Sequence, residues 1–153
     1  MSELLGDLQE RTFARATGAT ADSYPPQQRL SAAQLASYLD RRAFAVVGST
    51  RADGRPHAAM SGYNRRGVTF WLPTVAGSVR ERNLRATPWL TLVIAEGDRG
   101  EHIMVLVEGP AEVVAPTEVP ADVRAAAAGD WIGAWIRLTA ERLLSYAADG
   151  ATP

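Results

Sequence analysis

The chain has 153 residues, 46% of them apolar and 22% charged, and a net charge of −1. That length suits one domain with a real hydrophobic core, and the near-neutral balance gives no nonspecific attraction to nucleic acid or to an anionic membrane. There is no cysteine, which excludes disulfides, thiolate metal sites and a cysteine nucleophile. Two histidines, His57 and His102, leave little for a histidine-rich metal centre. The first residues lack the basic and apolar stretches of a secretory signal, and no apolar run reaches the length of a membrane span, so the cytoplasm is the expected compartment. All 16 basic residues are arginine, a bias that reads as source-genome composition rather than function.

In chain order, residues 1–30 divide into a short helix up to about Arg15 and a breaker-rich connector. They form an N-terminal arm, expected either to order against a partner subunit or to stay mobile. Ser31 followed by Gln34 is a capping-box pattern ahead of Leu35, Tyr38 and Leu39, and it predicts a helix over 31–42 with one buried stripe. From residue 43 the period becomes that of strands. Residues 43–49 are nearly all apolar, as in a strand covered on both faces. The Asp53-Gly54 turn returns the chain into a second strand over 56–63. A turn at 64–67 leads to a strand over 68–72 that ends at Pro73.

A short helix is expected at about 78–86, then a strand over 89–95 and another over 102–108. The Gly109-Pro110 pair predicts a bulge or sharp bend before the strand resumes over 111–114. Residues 116–128 read as a surface helix ended by Gly129, and 134–139 as a strand. Residues 140–146 close the fold as strand or helical turn, with 147–153 a tail. Six or seven short strands linked by tight turns define a mainly β protein, an antiparallel barrel or sandwich with a few helices.

The segment with most chemistry is 74–84. Thr74, Gly77 and Ser78 lie in a loop between a strand and a helix, and Arg80 sits in the first turn of that helix. A helix N-terminus has amides without intrahelical acceptors and a positive dipole end, so it favours an anion. A guanidinium adds a planar fork of donors matched to phosphate oxygens. The segment reads as a phosphate cradle; the alternative is an ordinary helix capped by Ser78 with a solvated arginine.

Taken together, Ala45-Val46-Val47-Gly48-Ser49-Thr50, Asp53-Gly54-Arg55-Pro56-His57, Thr74-x3-Ser78-x-Arg80-x2-Asn83-Leu84, Pro88 and Val107-Glu108-Gly109-Pro110-Ala111-Glu112-Val113 resemble the pyridoxamine 5′-phosphate oxidase-like split β-barrels. The resemblance covers about residues 31–146. It implies a homodimer that binds FMN, or the deazaflavin coenzyme F-420, in two clefts at the subunit interface. By position it assigns the cofactor phosphate to Ser78 and Arg80, with Thr74 and the Gly77 backbone beside them. Many relatives carry lysine where this chain has Arg80. It also makes Ala59, Met60 and Ser61 neighbours of the cofactor, on the strand that lies along it in relatives.

The function so implied is two-electron transfer between cofactor and a small planar substrate, chemistry that the cofactor itself carries. A carrier or sensor that binds without turnover would use the same cradle, and a barrel without cofactor would remain a dimeric interaction module. Oxidation of pyridoxamine phosphate itself is disfavoured, because only Arg137 and Arg142 lie near the C-terminus to hold a second phosphate. Trp71 is read as core or as cleft lining, Trp131 and Trp135 as packing at a barrel end, a dimer contact or substrate-facing groups. His57 and His102 are read as structural or solvated, with a proton-donor role for His57 as the minority reading. Arg51, Arg55, Arg65 and Arg66 are read as solvated turn tips, with one of them reaching a partner's cofactor tail as the alternative.

Overall fold

In the computed structural model, which describes residues 2–153, strands β1 (Phe44–Thr50) and β2 (Pro56–Gly62) form a hairpin in unbroken register from Phe44↔Gly62 to Thr50↔Pro56. Its turn is fixed by Gly54 at φ +85° and by Asp53, whose carboxylate accepts from the Arg55 N–H at 3.0 Å. The other strands are β3 (Asn64–Arg66), β4 (Thr69–Thr74), β5 (Trp89–Glu96), β6 (Ile103–Val114), β7 (Ala134–Thr139) and β8 (Arg142–Ala147). They form one antiparallel sheet in the order β2-β1-β5-β6-β7-β4-β3, with β8 paired to β6 outside that path. β2 and β3 stand at opposite ends of the order, yet only Tyr63 separates them in the chain. The sheet must therefore curl until its ends approach, which makes it a split barrel.

The seam of the split is β6. Its residues up to Pro110 pair with β5, and Ala111 to Val114 pair with β7. The bulge expected at Gly109-Pro110 is absent, since Gly109 and Pro110 pair with Leu90 and Trp89 without interruption. Gly109 has a different reason. A Cβ there would lie 2.0 Å from the Thr139 carbonyl oxygen, because the β7–β8 connection crosses tightly over the strand and the Glu141 N–H donates to the Glu108 carbonyl at 2.9 Å.

The helices are α1 (Glu3–Ala14), α2 (Gly18–Ser23), α3 (Ala32–Arg41), α4 (Val79–Ala86) and α5 (Ala121–Ala126); α2 buries no residue, and the other four pack their apolar residues into the cores. The capping box of α3 forms as its sequence requires, with the Gln34 N–H donating to Ser31 Oγ at 3.2 Å and the Ser31 N–H to Gln34 Oε1 at 2.8 Å. Residues 2–30 correct the expectation of an arm ordered only by a partner. Leu5 and Leu8 of α1 are buried in the chain's own core. The Leu143 N–H of edge strand β8 donates to Thr12 Oγ1 at 3.0 Å, and the Gln9 amide donates to the Leu30 carbonyl at 2.8 Å. A covered edge strand offers no free ladder to another chain.

Several boundaries differ from the sequence reading. The turn at 64–67 is partly strand, β3, and the chain reverses at Gly67-Val68 with Gly67 at φ +60°. The helix expected over 116–128 is a 3₁₀ turn, Pro116–Glu118, followed by α5, because Pro120 has no N–H to carry one helix through. Residues 142–147 are a strand. Arg65 is no solvated tip; its side chain is 8% exposed and pairs with Asp40 of α3 at 2.6 Å. Among the described residues no helix is long and apolar enough to cross a membrane.

The main core lies between the sheet and α1, α3 and α4, with Tyr38, Phe70, Leu92 and Ile136 fully buried. Burial pushes the Tyr38 hydroxyl up to about 12 and keeps it neutral. A second cluster of Trp71, Val114, Val119, Val123 and Trp135 seats α5 against β4, β6 and β7.

Gly109→Ala sets a methyl group against a fixed backbone carbonyl, so the variant loses about 3 kcal/mol, the upper end of the usual overpacking cost. Chemical denaturation measures it; a loss below about 1 kcal/mol means the crossing relaxes easily and does not lock the seam.

Candidate functional site

The site is built where β4 passes into α4. β4 runs on through Pro73 to Thr74, paired with Trp135 and Ala134 of β7, rather than ending at Pro73. The Thr74 carbonyl accepts from the Gly133 N–H at 3.0 Å on the β7 side. Backbone groups alternate along a strand, so the missing N–H of Pro73 falls on the side where β3 has already stopped pairing at Trp71. Gly77 turns the loop at φ +74°, and the Ser78 N–H closes it on the Val75 carbonyl at 3.1 Å. Ser78 then caps α4: its Oγ accepts from the Glu81 N–H at 3.2 Å and lies 3.1 Å from Thr74 Oγ1. The Asn83 amide fixes the helix to β1 by donating to Ser49 Oγ at 3.0 Å.

Arg80, on the first turn of α4, is 8% exposed. One terminal nitrogen donates to the Met60 carbonyl of β2 at 3.2 Å, while Nε is buried with no partner. No carboxylate pairs with it among the described residues, and burial lowers its pKa from the ordinary arginine value. A buried guanidinium held by one carbonyl is costly unless an anion joins it.

Glu81 modifies the expected cradle. Its carboxylate accepts the Gly77 N–H and pairs with Arg85 at 2.9 Å. The Gly77 amide, followed by Arg85, holds this carboxyl below its usual range. The Gly77 N–H expected to meet a ligand is thus already taken by the chain.

Met60, Ser61, Thr74, Ser78 and Arg80 line one cleft of about 400 Å³. Ala59 and Gly77, expected with them, do not line it. Phe44 and Trp131 also line it, and both recur in a neighbouring cleft of about 670 Å³ that shares Gly62 and Pro73 as well. Phe44, Met60, Val75 and Trp131 are each more than half exposed. Sequence reasoning missed Phe44 because β1 is apolar at every early position, so its period does not separate inward from outward residues. Trp71 lies in the second core cluster and not in the cleft. Neither histidine lines the cleft: His102 stacks on Tyr146 with ring centroids 5.3 Å apart, and His57 has a buried Nδ1 without a partner.

The residues present fit a phosphate-bearing group. The cleft brings together two hydroxyls and a buried guanidinium whose Nε has no partner. They supply one cation and no second.

The family model described as pyridoxamine 5′-phosphate oxidase matches residues 31–150, so the chain belongs to that family. No curated protein matches the chain. Solved structures do. A conserved hypothetical protein of Mycobacterium tuberculosis superposes with a TM-score of 0.70 at 20% identity, over 83% of this chain and 91% of the other. A FAD-binding protein of Mycobacterium smegmatis gives 0.64 at 19% identity, over 78% and 98%. The haem storage protein of Vibrio cholerae gives 0.59 at 12%, over 77% and 96%. At these identities the likeness shows the fold alone.

Replacing Arg80 by methionine fills the same volume without a buried charge, so Arg80→Met raises the stability of the ligand-free protein by about 1 kcal/mol. A lower melting temperature than the parent would mean that the Met60 carbonyl already satisfies the guanidinium.

Proposed function

We propose that the chain binds a flavin or deazaflavin cofactor by its phosphate and, as a homodimer, transfers two electrons between that cofactor and a small planar substrate. The observation that carries this reading is Arg80, a buried cation without a counter-ion in a cleft with the Thr74 and Ser78 hydroxyls. FMN and the deazaflavin F-420 both fit this description, and the FAD-binding neighbours favour a flavin. A bound cofactor of this kind supplies the hydride chemistry. The chain's own residues then bind and shield: Arg80 neutralises the phosphate, the two hydroxyls complete its hydrogen bonds, and Phe44, Met60 and Trp131 exclude water from the reacting face.

The dimer is supported by the outer face of β1 and β2. Val46 pairs with Met60 and Phe44 with Gly62, and Phe44, Val46 and Met60 are 61%, 42% and 61% exposed. A solvated sheet face carries polar residues at such positions. A second copy set there isologously would cover the patch and close both clefts.

Haem-binding neighbours exist, but with both histidines outside the cleft the site offers haem no imidazole. Pyridoxamine phosphate as substrate is disfavoured because Arg137 pairs with Glu112, and Arg142 with Glu108 at 2.6 Å. A carrier or sensor without turnover uses the same residues, and reductant-dependent turnover separates it from an enzyme. The cytoplasm is the compartment we propose.

The absorption spectrum and mass of the small molecule that copurifies with the protein test the cofactor. Arg80→Met weakens its binding by roughly 10- to 150-fold, the equivalent of losing one charge-assisted hydrogen bond; unchanged affinity removes Arg80 from the site. Val46→Glu converts the dimer to monomer in sedimentation and weakens the cofactor by at least about tenfold. A parent protein that sediments as monomer at micromolar concentration would end the interface reading.

A further inference from the structure

Glu81 stands at the N-terminus of α4, where a strongly anionic ligand would otherwise have the amides to itself. Its carboxylate holds the Gly77 N–H, and the Ser78 N–H is spent on Val75. What remains at the helix start are the Val79 and Arg80 N–H groups, which have no acceptor among the described residues, the Thr74 and Ser78 hydroxyls, which already face each other at 3.1 Å, and the Arg80 side chain. Arg80 is the single charged residue lining the cleft. The partner of Glu81, Arg85, spreads its charge into solvent, with a side chain 68% exposed against 11% for Glu81. The balance at the socket is therefore one buried cation against one nearly buried anion.

A terminal phosphomonoester carries between one and two negative charges at neutral pH, with a second pKa of about 6. A phosphodiester carries one. Glu81 does not line the cleft itself, but it caps the helix whose Ser78 and Arg80 do, so the second charge of a monoester would add to the field of its carboxylate, and like charges repel. A diester asks only for what Arg80 supplies. α4 also borders an open groove of about 420 Å³ that shares no lining residue with this cleft and is lined by Arg51, Arg82 and Asp53; neither arginine has an acidic partner among the described residues, and Asp53 pairs with Arg55 at 3.3 Å. That groove suits the anionic continuation of a molecule that does not stop at its phosphate.

We propose that Glu81 is a specificity-determining residue that makes this cleft select a cofactor whose phosphate is a diester, with a tail beyond it, over one that ends in a phosphomonoester. The inference rests on the cofactor reading above and narrows it. Glu81 touches neither substrate nor ring; it acts by occupying the amide and setting the local charge.

The test is a parallel titration of the parent protein and Glu81→Gln with FMN, a monoester, with F-420, a phosphodiester, and with FAD, a pyrophosphate diester that carries one charge on each phosphorus. Glutamine keeps an acceptor for the Gly77 N–H and removes only the charge. The parent binds at least one diester about tenfold or more tighter than FMN. Glu81→Gln raises FMN affinity about tenfold and leaves the better diester within about threefold. Arg85→Gln, which leaves the carboxylate uncompensated, lowers FMN affinity further while sparing the diester. FMN binding as tightly as either diester in the parent, or an FMN affinity unmoved by Glu81→Gln, overturns the proposal and leaves the cofactor reading standing. Equal loss of all three ligands in Glu81→Gln makes Glu81 a structural cap and also overturns it. If none of the three binds the parent, the cofactor reading itself fails and takes this inference with it.

Discussion

Tyr63 joins β2 to β3, the strands at the two ends of the sheet's hydrogen-bonding order. One residue cannot span an open eight-stranded sheet, so the sheet has to roll. Everything at the site follows from that constraint. Rolling carries the end of β2, with Met60 and Ser61, against the β4–α4 junction, with Thr74, Ser78 and Arg80, although 13 to 20 positions separate them in the chain. The Arg80–Met60 hydrogen bond at 3.2 Å is the direct sign of this closure. Tyr63 is itself pinned, buried to 6% exposure, with its hydroxyl donating to the Leu39 carbonyl of α3 at 2.6 Å. Gly109 serves the same end from the other side, by letting the β7–β8 connection cross the long strand that both halves share.

The socket that results is a compromise between stability and binding. A guanidinium buried with one carbonyl partner is a liability to the free protein, and Glu81 partly offsets the field by placing a carboxylate on the adjacent loop amide. Caps and ligand sites draw on the same unsatisfied groups at a helix start. Here Ser78 Oγ takes the Glu81 N–H and the Glu81 carboxylate takes the Gly77 N–H, so the helix is well capped and less electropositive than its loop sequence suggests. On the proposed cofactor reading, specificity would depend on how these charges balance more than on how many donors surround a ligand.

Much of the fold was legible from local chemistry. The capping box at Ser31 and Gln34, the Asp53-Gly54 hairpin turn and the helix beginning after Ser78 all form, because each depends on groups a few residues apart. The misreadings have a shared cause. Gly109-Pro110 reads as a bulge or sharp bend; the ladder has no bulge there, and the requirement for glycine comes from Thr139, thirty residues away. The N-terminal arm looked loose, but Thr12 and Gln9 find their partners at Leu143, Leu30 and Ser145. Trp71 had two readings open, and the cluster it shares with Trp135 and Val123 chose the core.

By itself, the sequence determined the residue types of the socket and their order, Thr74, Ser78 and Arg80 at a strand-to-helix junction, because a helix start and its cap are set by near neighbours. The tertiary structure alone decided which of them share a cleft, that Arg80 is buried without a counter-ion, and that Phe44 and Trp131 stand at the cleft's exposed apolar wall. Those properties depend on which surfaces a rolled sheet brings face to face, and no period along the chain encodes that.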